Sequence, residues 1–273
     1  MRAAAALLLA SVCASSQGCN SPPPETEPQR RAPASSSGGT SSVLGWGGAQ
    51  PVAQSFELLW QDDFDAFDES RWEKPAHSFE ENAGYFRPDN AVVEDGLLKM
   101  RITAEPHSGK LYSAAEIRTS ETFQWGRFEA RFKPAAGSGL VSSLFTYLYQ
   151  PWNEIDIEYL GHQRSGIQYN LITDGPSGRE YQPYFDALSF MPHEDFHDYA
   201  FEWTPGEVRF FVDGVPMYVE TRNVAERMNS PVKLHINCWP VDSDVTTFAG
   251  IFDPSALPAE AQYDWVRVYR YVE

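Results

Sequence analysis

The sequence predicts an all-β fold, an antiparallel β-sandwich of jelly-roll type with one concave face open to a chain-shaped ligand. Three observations carry that reading. From Phe56 onward, short runs alternate apolar and polar residues: Leu98/Met100/Ile102, Phe128/Ala130/Phe132, Tyr199/Phe201/Trp203, Val208/Phe210/Val212 and Val266/Val268. Turn residues separate these runs. Asp213-Gly214 between two of them is a hairpin signal, and Thr204-Pro205-Gly206 is a second turn. Helical periodicity is nearly absent, with one short helical turn expected between Pro254 and Ala261.

Residues 1–19 read as a secretory signal: Arg2 is followed by an apolar run to Val12 that is too short to cross a bilayer. Gly18-Cys19 suits lipoprotein-type cleavage with lipid on Cys19, and cleavage after Ala14 is the rival. Residues 20–54 are rich in Pro, Ser, Gly and Ala, the composition of a flexible linker. The sandwich domain then occupies 55–273, and the 42% hydrophobic and 14% aromatic content of the whole chain is enough for a core. With Cys13 and Cys19 in the leader, Cys238 is left without an internal disulfide partner and reads as a buried apolar thiol. Twenty-one Lys+Arg against 38 Asp+Glu give a net charge of −17, which disfavours nucleic acid and anionic lipid and suits a neutral polysaccharide. The expectation is an exported monomer, a cell-envelope lipoprotein or a secreted protein, that meets a membrane only through Cys19.

The chemistry concentrates in Trp152-Asn153-Glu154-Ile155-Asp156-Ile157-Glu158-Tyr159-Leu160-Gly161. On a strand, Glu154, Asp156 and Glu158 share one face while Ile155 and Ile157 point the other way. Three adjacent carboxyls repel one another, so such a row is kept at a cost and suggests a site. Paired carboxylates flanking a scissile bond are what glycoside hydrolysis requires. Glu154 and Glu158 have Cα atoms roughly 13 Å apart at strand rise, and converging side chains bring the carboxyls closer. That spacing admits both the ~5–5.5 Å gap of retaining enzymes and the ~6.5–9.5 Å gap of inverting ones. Asp156, between them, can share a proton with a neighbour and separate their pKa values. Trp152 lies on the acid face and suits stacking on a sugar ring. A metal site is a poorer reading, because one strand rarely wraps an ion. A solvated acidic face leaves Trp152 unexplained.

These residues resemble the active-site strand of glycoside hydrolase family 16, in the Glu-x-Asp-x-Glu form of its lichenase-like (β-1,3-1,4-glucanase) and xyloglucan-active branches. The resemblance runs from about Phe56 to Tyr271. It takes in Ala115-Glu116-Ile117-Arg118, Lys133-Pro134-Ala135, Gly139-Leu140-Val141-Ser142-Ser143, Phe196-His197-Asp198-Tyr199, Val212-Asp213-Gly214, Asn237-Cys238-Trp239 and Tyr263-Asp264-Trp265-Val266. Asn153 and Cys238 depart from it, standing where relatives often have Asp and Leu.

The resemblance implies a retaining endo-β-glucanase with Glu154 as nucleophile, Glu158 as general acid/base and Asp156 as the residue that tunes the nucleophile. The residues alone do not rank the two glutamates. It also implies cleft roles for Glu116, Arg118, Asn237, Trp239 and Asn170, and a loop over the donor sugars containing Asn82, Tyr85 and Phe86. Catalysis needs no cofactor, while Asp264 and the carbonyl of Gly96 match a structural Ca²⁺ site.

Mixed-linkage β-1,3-1,4-glucan is the expected substrate. Alternatives are a transglycosylase, a hydrolase of xyloglucan, β-1,3-glucan or another polysaccharide, and a non-catalytic glucan-binding module. His193-Glu194-Asp195-Phe196-His197 imitates a zinc-protease motif, but Met191-Pro192 precedes it and strand alternation follows Phe196, so the helix that chemistry requires is not expected.

Overall fold

The computed structural model describes residues 55–272. The leader, Cys19 and the linker lie outside the described residues.

Two sheets form the sandwich. In spatial order, the eight-stranded sheet runs Val215–Glu220, Val208–Val212, His197–Trp203, Gly126–Lys133, Ala259–Val272, Leu97–Ile102 and Ala91–Glu94, with Ser55–Asp62 also pairing onto Ala259–Val272. The nine-stranded sheet runs Gly178–Tyr181, Gly166–Gly175, Asn153–Leu160, Leu140–Leu148, Lys233–Pro240, Tyr112–Thr119 and Trp72–Glu73. Tyr184–Ala187 adds to the Gly166–Gly175 edge, and Gly84–Phe86 adds in parallel to Tyr112–Thr119, the exception in an otherwise antiparallel set.

Each apolar row named from the sequence is buried between the sheets, from Leu98/Met100/Ile102 to Val266/Val268. Ile155, Ile157, Leu144, Leu171, Ile236 and Cys238 meet them from the nine-stranded sheet. Cys238 is fully buried beside Ser142, its Sγ 3.5 Å from Oγ, and burial pushes its thiol up to about 12, so it packs as an inert apolar group. At the Asp213-Gly214 hairpin both residues adopt positive φ (49° and 74°) and Val212 pairs with Val215, as a two-residue turn between twisted strands demands.

The helical turn expected between Pro254 and Ala261 is corrected to a 3-10 turn over Pro254–Ala256, started by Asp253 accepting from Ser255 N. Ala259 already begins a 14-residue strand, because its pairing with Ile102 outweighs the local sequence.

A second apolar cluster matters for the site. Phe86, Ala114, Val141, Leu160, Trp239, Val241 and Ala249 pack together on the outer face of the nine-stranded sheet, joined by Phe248 and Phe252 from the loop after Pro240. It covers one end of that face; beside it Glu154 and Glu158 are half-buried and Asp156 is buried.

Candidate active site

Ile155, Ile157 and Tyr159 are buried between the sheets, so strand alternation turns Glu154, Asp156 and Glu158 onto the outer face. Pairing sets their neighbours. Tyr147, Phe145 and Ser143 stand opposite Glu154, Asp156 and Glu158 on one side, and Ile172, Asn170 and Gln168 on the other. Asn237 and His235 extend the same face one strand further, and Glu116 and Arg118 one more.

The three acids have different surroundings. Burial pushes Glu154 up to about 7, against three influences that favour its charge: the Trp152 Nε1–H donating to Oε2 at 2.6 Å, the nearby Arg179 guanidinium, and a hydrogen bond with Asp156. Burial pushes Glu158 up to about 8, helped by the charge of Glu154 and opposed by Gln168 Nε2 donating to Oε2 at 3.2 Å. Burial and both neighbouring charges hold Asp156 well above the usual carboxylate range, so in its hydrogen bond with Glu154 it carries the proton. The donors on Glu154 therefore stabilise its charge, while burial and the charge of Glu154 keep the proton on Glu158. That is the division of labour between a nucleophile and a general acid.

Trp152 is fixed for this task. Its backbone N–H donates to Asp174 Oδ2 at 2.9 Å, its ring lies edge-on to Tyr147 at 5.0 Å, and the Arg179 guanidinium sits 3.1 Å from the ring centroid.

The model of glycosyl hydrolases family 16 matches residues 80–267. The chain belongs to glycosyl hydrolase family 16. It is a glycoside hydrolase whose acid row lies on the outer face of the nine-stranded sheet. It is 38% identical over 215 residues to a β-glucanase of Brevibacillus brevis, covering 76% of this chain and 80% of that one. A β-glucanase of Paenibacillus macerans is 35% identical over 210 residues, covering 74% and 84%. Among solved structures, a β-1,3-1,4-glucanase (lichenase) derived from a mouse hindgut metagenome superposes with TM-score 0.71 at 34% identity, covering 78% of this chain and 99% of that one. The laminarinase from Rhodothermus marinus superposes equally well, TM-score 0.70, at 26% identity, covering 81% and 100%. The backbone alone therefore does not separate substrates.

In this family-16 site the remaining sequence-named residues fall into three groups. Glu116 is buried beside the acids, with His77 Nε2 at 3.2 Å and His235 Nδ1 at 3.4 Å. Burial would raise its pKa, but the two imidazoles overcome this and hold it at about 2, a fixed carboxylate. Asn237 accepts from Ser143 Oγ at 2.5 Å and Asn170 Oδ1 accepts from Gln182 N at 3.1 Å, so both are held rigidly on the outer face. Arg118 is tied to Glu73 at 2.7 Å, and Glu73 also binds Lys233 at 3.0 Å.

Trp239 stands in the second cluster, edge-on to Phe79 at 5.0 Å and stacked on Phe248 at 6.2 Å, and forms the wall at that end. Asn82 is buried, its Oδ1 accepting from Gly84 N at 2.7 Å, and so shapes the loop.

Two of the named loop residues are corrected. Phe86 is 0% exposed and packs in the second cluster, which leaves no ring face for a sugar. Tyr85 alternates to the other side of its strand, donates to Ala76 O at 3.0 Å and packs on His107 at 4.9 Å. The exposed ring at that wall is Phe79. Gln168, Arg179, Tyr147, His77, His235 and Phe79 escaped the sequence reading. The alternation of Leu140–Leu148 and Gly166–Gly175 holds the signal for Tyr147 and Gln168, but only once the register with the acid strand is known.

The zinc-like histidines separate: His193 Nδ1 is 2.8 Å from Tyr159 Oη, while His197 Nδ1 is 2.8 Å from Asp213 Oδ2 and its ring stacks on Phe190. Pairing of Tyr263 with Leu98 brings Asp264 alongside the Asp95-Gly96 turn, with Asp264 Oδ2 3.4 Å from Arg131 Nε. A carboxylate and a backbone carbonyl are hard oxygens of the kind Ca²⁺ takes, and in this structure the Asp264 carboxylate is paired with Arg131.

Proposed function

We propose that the chain is a retaining endo-β-glucanase acting on mixed-linkage β-1,3-1,4-glucan by double displacement. Glu154, ionised, attacks the anomeric carbon while Glu158 donates its proton to the leaving oxygen. Water, deprotonated by Glu158, then hydrolyses the glycosyl ester and frees Glu154. Asp156 donates a hydrogen bond to Glu154 and withdraws charge from it as the ester forms. The observation that carries this reading is the Trp152 N–H on Glu154 Oε2 at 2.6 Å, a closer donor than the Gln168 N–H 3.2 Å from Glu158, so that charge is favoured more on Glu154 than on Glu158. Support for the substrate comes from the β-1,3-1,4-glucanase (lichenase) structure, at 34% identity against 26% for the Rhodothermus laminarinase.

The test is product sizing for residues 55–273 on barley mixed-linkage glucan, laminarin, xyloglucan and agarose. Short oligosaccharides from barley glucan alone support the reading. Activity confined to another polymer overturns the substrate, and products longer than the substrate indicate glycosyl transfer. Asp264, with the Gly96 carbonyl, is the proposed Ca²⁺ site and takes no part in the reaction. Repeating the assay after chelation should lower the melting temperature and leave the product pattern unchanged; a changed pattern contradicts that role.

A further inference from the structure

The family-16 site has a second aromatic edge that the acids do not use. Tyr184–Ala187 pairs with Gly166–Gly175 so that Phe185 stands opposite Gln168, which in turn stands opposite Glu158. Residues opposite one another share a face, so Phe185 lies on the catalytic side two strands from Glu158, about 10 Å away laterally. Its ring is 41% exposed. The ring lies across Gly166, where a Cβ would run into it, so this glycine lets the ring lie over the sheet. Tyr181 stands opposite Ile172, which stands opposite Glu154, and is 39% exposed on the same face. Tyr184, between them in sequence, points to the other side and stacks on Tyr218 at 4.0 Å, so it is accounted for by packing.

Large exposed rings on the open face of an enzyme for sugar chains suit pyranose stacking, in which C–H groups meet the π-face. Their side of the acids can be assigned. Gln168 holds the Glu158 carboxyl from the edge that carries Phe185, whereas the Glu154 carboxyl is held by Trp152. The leaving sugar stands beside the group that protonates it.

We propose that Phe185 is the stacking platform for the leaving-group portion of a neutral β-linked glucan chain, downstream of the scissile bond. This rests on the hydrolase reading above and adds a specificity-determining surface to it.

The test compares two substrates: a long β-glucan chain, which spans both sides of the acids, and an aryl β-glycoside of a short donor oligosaccharide, whose leaving group does not reach Phe185. In Phe185→Ala the ratio of kcat/KM on the chain to that on the aryl glycoside should fall about tenfold, the size of one ring contact, through KM. Phe185→Trp should restore the ratio and Phe185→Leu, which keeps apolar bulk without a π-face, should not. Equal losses on both substrates, an unchanged ratio, or rescue by Leu would each overturn the platform. Wild-type protein silent on both substrates would instead overturn the hydrolase reading, so the two failures are distinguishable.

Discussion

Glu154→Gln and Glu158→Gln should each lower kcat on β-glucan by about a thousandfold or more. The first replaces the anionic nucleophile with a neutral amide, and the second removes the proton delivered to the leaving oxygen, a role worth ~10²–10⁴ by itself. Neither change should unfold the domain. Both carboxyls have folded pKa values raised above the ordinary 4.5, to about 7 and about 8. A raised carboxylate pKa means that the charged form costs stability in the fold. That cost is absent at pH below the ordinary value, grows as pH rises through the window up to about 8, and is constant above it. Glu158→Gln should therefore match or exceed wild type in melting temperature, with the larger gain on the alkaline side. Thermal denaturation across pH beside single-point kinetics checks both halves. Retention of a tenth of wild-type activity by either variant would defeat the assignment.

The second large effect is on the pH profile. Activity requires Glu154 ionised and Glu158 protonated, so kcat/KM should be bell-shaped. It should fall on the acid side as Glu154 gains a proton and on the alkaline side as Glu158 loses one, with limbs belonging to the coupled row. Trp152→Phe keeps an aromatic ring and deletes the N–H that stabilises charge on Glu154. The acid limb should then move up by about one pH unit, the worth of a hydrogen bond to a charged group, and the bell should narrow. An unmoved acid limb in this variant would show that Trp152 does not hold the Glu154 charge.

These arguments depend on features with different visibility in the sequence. The acid row and the buried rows behind it were legible because both follow the two-residue period of a strand and involve no partner. Trp152 was legible as a member of the acid face. Its bond to Glu154 was not, because rotamers decide whether a ring lies flat toward a ligand or presents its N–H to a neighbour. Gln168, Tyr147, Phe185 and Arg179 reach the site only through pairing register, which is set by strands distant in the chain.

Tyr85 and Phe86 show the limit from the other direction. Their loop becomes a short strand parallel to Tyr112–Thr119, and alternation there sends one ring into the second cluster and the other away from the acids. Pro254–Ala261 read as helical because local propensity cannot register the long strand that claims Ala259 onward.

The central claim, that Glu154 forms a covalent glycosyl-enzyme and Glu158 serves as acid and then base, is tested most directly by the anomeric configuration of the first product. Proton NMR during rapid cleavage of barley glucan should show the β-anomer of the new reducing end first, with the α-anomer appearing later by mutarotation. An α-anomer formed first would mean single displacement with inversion and would contradict the nucleophile assignment.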